Sequence, residues 1–187
     1  TAQLKYEMEH PTKYTPLKSW AYLCLSTYCI ANIQGNTYAA YERLIRLHLG
    51  ELGDIPVGRI TSLMIQKHIT NSSLLADENG MSESHLLRLR NLLHMIFEYA
   101  IQNNMIIHNP TKGIRIPKTG VFENRSLTQD ETVRLINTVH SSDDIVMFAI
   151  ILCLFTGLRR SEVLGLKWSN IDFKNQTITV EHQLVRE

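Results

Sequence analysis

The chain has 187 residues, 44% hydrophobic and 20% charged, a globular composition with length for one ordinary domain or two small ones. No apolar run approaches the ~18 residues of a membrane span, and no basic-then-apolar leader opens the sequence, so a cytoplasmic protein is expected. The net charge of +1 neither requires nor forbids a polyanionic partner, and any basic surface must be local.

Residues 1–14 read as an extension. Thr15 before Pro16 reads as an N-cap with proline in the first turn, and Leu17, Trp20, Ala21, Leu23, Cys24, Tyr28 and Ile30 then recur at near-helical spacing. Gly35-Asn36 breaks this helix. A second is predicted over 37–49, with Tyr38, Tyr41, Leu44, Ile45 and Leu49 gathered on one side. After glycines at 50, 53 and 58, Thr61 is placed to cap a third helix carrying Leu63, Met64, Ile65 and Ile69, which gives out in the polar stretch 71–80. Ser82 opens the longest pattern, with Leu86, Leu89, Leu93, Ile96, Phe97 and Ala100 on one face. Residues 15–109 therefore predict a compact four-helix unit.

Over 110–125 the periodicity stops, and Pro110, Gly113, Pro117 and Gly120 alternate with Lys112, Arg115 and Lys118, as in a basic linker with no core to cover. Residues 126–187 predict a second unit. Thr128-Gln129-Asp130-Glu131 is a capping box, in which threonine hydroxyl and glutamate carboxylate satisfy each other's free backbone N–H groups, and a helix runs on to about His140. The stretch 145–155 is nearly all apolar and predicts a helix buried on every side. A short helix over 160–166 follows, then a β-hairpin in which Ile171, Phe173, Ile178 and Val180 alternate around Lys174-Asn175-Gln176. The chain opens on Thr1 and stops inside a strand pattern, so trimming at both ends is expected. Cys24, Cys29 and Cys153 lie in apolar helical stretches without C-x-x-C spacing and read as buried, reduced thiols.

The chemistry is concentrated in Thr156-Gly157-Leu158-Arg159-Arg160-Ser161-Glu162-Val163-Leu164-Gly165-Leu166-Lys167-Trp168, followed by Ile171-Asp172. Gly157 permits a tight turn at a helix start, where free N–H groups favour an anion. Arg159 on that turn offers a fork of donors that fits two oxygens of one phosphate. Glu162 returns to the same side of the short helix three residues later and can hold the guanidinium, while Leu158, Val163, Leu164, Leu166 and Trp168 anchor the turn in the core. The bland alternative is a solvated ion pair at a helix start. The remaining histidines, among them His48, His68, His94 and His140, lack metal-ligand spacing, so no metal is expected.

This string resembles the first arginine motif of tyrosine recombinases of the phage-integrase type, T-G-L-R-x-S-E-x-x-x-L-x-W, with an aspartate and a strand after it. Upstream, Thr37-Tyr38 with Tyr41 and Arg43-Leu44-Ile45, the glycine-rich turn, Ile60-Thr61 with Ile65-Gln66, Ser82 before a long helix, Asn109-Pro110 and Pro117-Lys118 resemble the integrase core-binding domain. The resemblance implies a mainly α fold: a four-helix, SAM-like core-binding domain, a basic linker, and a truncated α+β catalytic domain ending in a β-hairpin. It implies that Arg159 grips the scissile phosphate with Glu162 in support, and that the second and fourth helices face double-stranded DNA at a recombination core site. The DNA-facing candidates are Thr37, Tyr38, Tyr41, Arg43 and Arg46, then Ser84, His85, Arg88, Arg90 and Asn91, joined by Lys112, Arg115, Lys118 and Arg125. Arg and Lys would mostly neutralise phosphates, while Asn91 or an arginine reaches a base edge.

In that family a tyrosine hydroxyl attacks the phosphodiester and leaves a 3′-phosphotyrosyl link, which conserves bond energy and needs no cofactor. The family's lysine, H-x-x-R pair, later histidine or tryptophan and tyrosine are expected beyond Glu187, so the fragment alone is expected to be inactive. His85-Leu86-Leu87-Arg88 spells H-x-x-R but precedes Arg159, in the wrong domain. The resemblance further implies a homotetramer on DNA in the full-length parent, accessory DNA-bending proteins, no membrane partner and a bacterial, nucleoid-associated location. Two alternatives stand beside it: a non-catalytic DNA-binding protein on the same scaffold, and a helical interaction module with no salt-dependent DNA affinity.

Overall fold

Leucine and isoleucine repeats at helical spacing shape the first half of the chain. In the computed structural model, which describes residues 10–74, 81–118, 125–141 and 144–184, four helices form there. They are α1 (Leu17–Cys24), α2 (Gly35–His48), α3 (Ser62–Leu74) and α4 (Glu83–Gln102). Parts of the extension (1–9), the polar stretch (75–80), the linker (119–124) and the last residues (185–187) lie outside the described residues. The chain divides into two units, Thr1–Val121 and Phe122–Glu187.

In the first unit a single connected core runs from Leu17 to Ile114, with Trp20, Leu25, Ile45, Ile65, Leu89, Leu93, Ile96 and Phe97 fully buried. Trp20 fills its centre and its indole N–H donates to the Ile96 carbonyl at 3.0 Å, so the one polar atom of the ring is satisfied. Ser82 caps α4, accepting the His85 backbone N–H, and Thr61 accepts that of Met64 at the start of α3. Pro16, not Thr15, is the N-cap of α1, and the Thr15 hydroxyl accepts the N–H of Thr12 instead. The helix then widens into a π turn over Leu25–Cys29, and that shift in phase leaves Ile30 exposed. Gly35 is the first residue of α2 and does not separate the helices, and Leu63 points outward while its neighbours Ile65 and Ile69 are buried.

The segment after α4 is docked, unlike a free linker. Asn109 and Thr111 are buried, and Asn109 Nδ2 donates to Glu98 Oε1 at 2.7 Å and to the His94 carbonyl at 3.0 Å. Its Oδ1 accepts from both the N–H and the hydroxyl of Thr111. Further on, the Gln66 side chain donates to the Arg115 carbonyl and accepts the Arg115 N–H, each at 2.9 Å, while Ile114 closes the core edge. The apolar positions 114 and 116 alternate with the basic ones, an extended pattern that composition alone reads as linker.

The second unit holds α5 (Gln129–His140), α6 (Ile145–Thr156), α7 (Arg160–Leu164), β1 (Ile171–Asp172) and β2 (Thr177–Ile178). The capping box at Thr128 and Glu131 forms as its spelling requires. β1 and β2 pair antiparallel, with Ile171 opposite Ile178 and Asp172 opposite Thr177, shorter than the alternation predicts. Asp172 ties the turn, its carboxylate accepting the backbone N–H groups of Lys174 and Asn175. The expectation of a helix buried on every side fails for α6: none of its residues is buried, and Ile145, Phe148 and Phe155 are exposed. Within the described part of this unit its main helix contacts are with α5 and α7, too little to cover a helix that is apolar all round. Cys153 is accordingly half-buried, whereas Cys24 and Cys29 are buried and burial raises both thiol pKa values. Among the described residues no helix is long and apolar enough to cross a membrane, and no group of three metal-ligating side chains occurs.

Candidate nucleic-acid interface and catalytic arginine

Arg159 is placed by backbone geometry. Gly157 ends α6 in the left-handed conformation, φ 70°, its N–H bonded to the Cys153 carbonyl, so it is a helix C-cap where the sequence suggested a helix start. Two residues on, Arg159 is the N-cap of α7 in extended conformation. Glu162 closes on it twice: Oε2 accepts the Arg159 backbone N–H at 2.8 Å and Oε1 accepts from Nη1 at 2.9 Å. The backbone N–H and then the guanidinium hold the Glu162 carboxyl below the usual carboxylate range, so it stays ionised and keeps its grip at neutral pH. The Arg159 side chain is 82% exposed, so its donors away from Glu162 face outward.

The turn is less deeply anchored than expected. Val163 is buried and Leu158 and Leu166 are half-buried, but Leu164 is exposed and Trp168 is 79% exposed at the start of a 3-10 turn. The cause is the same scarcity of cover that leaves α6 exposed.

In the first unit, the candidates on α4 sort by helical phase. Ser84, His85, Arg88 and Asn91 are exposed, on the side opposite Leu86, Leu89 and Leu93. Arg90 leaves that stripe. It is half-buried, its Nη1 donates to Asn91 Oδ1 at 3.1 Å, and its Nε is buried without a hydrogen-bond partner. On α2, Arg43 and Arg46 are exposed, whereas Thr37, Tyr38 and Tyr41 are half-buried and both tyrosines pack against the core. Lys112, Arg115 and Lys118 are exposed along the docked segment. Arg125 belongs to the second unit, where Nη2 donates to Glu131 Oε1 at 2.6 Å, so it braces the capping box of α5.

One grouping was not legible beforehand. His48, set aside as one of several scattered histidines, lines a cavity of about 390 Å³ with Arg43 of its own helix and His85 and Arg88 of α4. Only the packing of α2 against α4 reveals it. The available signal was weaker: Arg43 and His48 occupy successive turns of one helix.

Residues 125–186 match the family model described as the phage integrase family. The chain is 28% identical over 155 residues to a tyrosine recombinase XerC-like protein of Caldanaerobacter subterraneus subsp. tengcongensis, an alignment covering 79% of this chain and 38% of that protein. It is 28% identical over 123 residues to the transposase from transposon Tn916 of Enterococcus faecalis, covering 59% of this chain and 28% of that one. The chain thus spans less than half the length of the curated relatives it matches. Among solved structures, the Tn1549 transposon integrase in complex with circular intermediate DNA superposes with a TM-score of 0.77 at 25% identity, over 92% of this chain and 56% of that one. A lambda integrase dimer bound to a core site shares the fold, with a TM-score of 0.73 at 22% identity over 96% of this chain and 52% of that one. The segment that carries Arg159 thus matches the phage integrase family, and the chain as a whole is similar to tyrosine recombinases in sequence and to DNA-bound integrases in fold.

Proposed function

We propose that this chain is the DNA-binding and first catalytic portion of a tyrosine recombinase that carries out site-specific recombination or integration of a mobile element. The observation that carries the reading is Arg159, outward-facing on a capped turn and held at two points by Glu162. A guanidinium fixed in this way presents donors to the nonbridging oxygens of a phosphodiester, where charge gathers in the transition state, so it stabilises that state more than the ground state. The exposed bases of α2, α4 and the segment 112–118 supply backbone contacts to duplex DNA, and the unit boundary near residue 121 separates a core-binding domain from the start of a catalytic domain.

The remaining groups of the family's catalytic set, including the tyrosine nucleophile, are assigned to the parent protein outside these 187 residues. In that parent the assembly on DNA is a homotetramer aided by DNA-bending proteins, in the cytoplasm at the nucleoid. The 187-residue chain should bind duplex DNA with log affinity falling linearly against log salt, because phosphate contacts release counterions. Incubated with a nicked duplex, it should form no covalent adduct. A salt-independent affinity, or an adduct on a denaturing gel, would overturn the respective half of this reading.

A further inference from the structure

The cavity between α2 and α4 is walled by Arg43, His48, His85 and Arg88, with Ala39 and Ala40 also lining it. Every ionisable group in that described lining is a base. Permanently charged guanidiniums repel a cation, and their forked donors match the oxygens of a phosphate. The two small alanines leave room for the ligand between the long side chains.

Three elements hold the histidines. On α4, Ser82 Oγ lies 2.7 Å from His85 Nδ1, which fixes that edge of the ring and leaves Nε2 as the other. From α3, His68 Nε2 lies 2.7 Å from the His48 carbonyl. Burial first, then the charges of His85, Arg43 and His68, hold the His48 pKa below the ordinary histidine value. A proton on His48 is therefore unfavourable in the free protein and becomes favourable when an anion enters among these bases. By linkage, such an anion binds more tightly as pH falls.

We propose that this cavity seats one backbone phosphate of duplex DNA between Arg43 and Arg88, and that His48 takes up a proton as the phosphate enters. The proposal rests on the DNA-binding reading above. It makes affinity for DNA rise with acidity through a specific side chain, beyond the general effect of net charge.

The test is equilibrium binding of a fluorescent duplex to the 187-residue chain at constant ionic strength. Affinity should rise about fivefold from about pH 7.5 to about pH 6, and His48→Gln should cut that rise to less than about twofold. A rise unchanged in H48Q overturns the proposal. A second measurement uses the wild-type chain and is independent of whether the variant folds: the His48 ring is titrated by NMR with chloride, inorganic phosphate or duplex at matched ionic strength. Its pKa should move up with phosphate and with duplex, and no movement with either overturns the proposal. If duplex binds while His48 is unmoved by it, the seat is wrong and the DNA-binding reading survives. If phosphate moves His48 and no duplex binds, DNA as the occupant is overturned together with that reading.

Discussion

Arg159 owes its position to its neighbours more than to burial. A left-handed glycine stops one helix, an extended residue starts the next, and a carboxylate three residues on closes back over the guanidinium. On the proposed reading Glu162 is a positioning residue, and its oxygens also satisfy the backbone N–H of the residue they hold. Glu162→Gln keeps an acceptor for that N–H but removes the charge opposite the guanidinium. On the proposed reading, cleavage of a nicked DNA substrate by the full-length parent should slow about tenfold with Glu162→Gln and a hundredfold or more with Arg159→Ala. Equal losses from the two variants would place Glu162 among the reacting groups instead.

At the scale of elements, the extended segment after α4 behaves as an added strand without a sheet. Gln66 imitates a backbone partner, pairing with both the N–H and the carbonyl of Arg115, while Ile114 and Ile116 turn toward the core. This fixes the exposed cations at 112, 115 and 118 relative to α3 and α4. Gln66→Ala removes both bonds, at a cost of about 1–2 kcal/mol for two partly exposed neutral hydrogen bonds. Amide exchange at Arg115 should accelerate about tenfold or more, while the amides of α4 stay protected. Unchanged exchange at Arg115 would show that Ile114 alone holds the segment.

On the scale of the whole molecule, burial is unevenly shared. The connected core lies entirely between Leu17 and Ile114, and in the second unit only Val139 and Val163 are buried apolar residues among those described. Hydrophobic burial is the main stabilising term, so the two units should not unfold together. Urea denaturation of the 187-residue chain should show two transitions, the first exposing amides of α5 to α7 and the second those of α1 to α4. A single coincident transition by hydrogen exchange and by Trp20 fluorescence would refute this.

Local rules determined much of the protein from its sequence. Periodic leucines placed α2 to α4, Ser82 and the Thr128–Glu131 box marked helix starts, and the arginine string located the candidate catalytic turn, because caps and amphipathic faces depend on residues within one or two turns. What depends on distant neighbours was decided only by the tertiary structure. The apolar run 145–155 looks the same whether covered or bare, and the difference lies in how many elements surround it. Whether Arg90 points outward or Arg125 braces a carboxylate depends on helical phase and on an ion pair that no pattern spells. His48 and Arg88, forty residues apart, share a cavity because two helices pack together there, and the spacing of one helix read alone cannot say which residues of another it will meet.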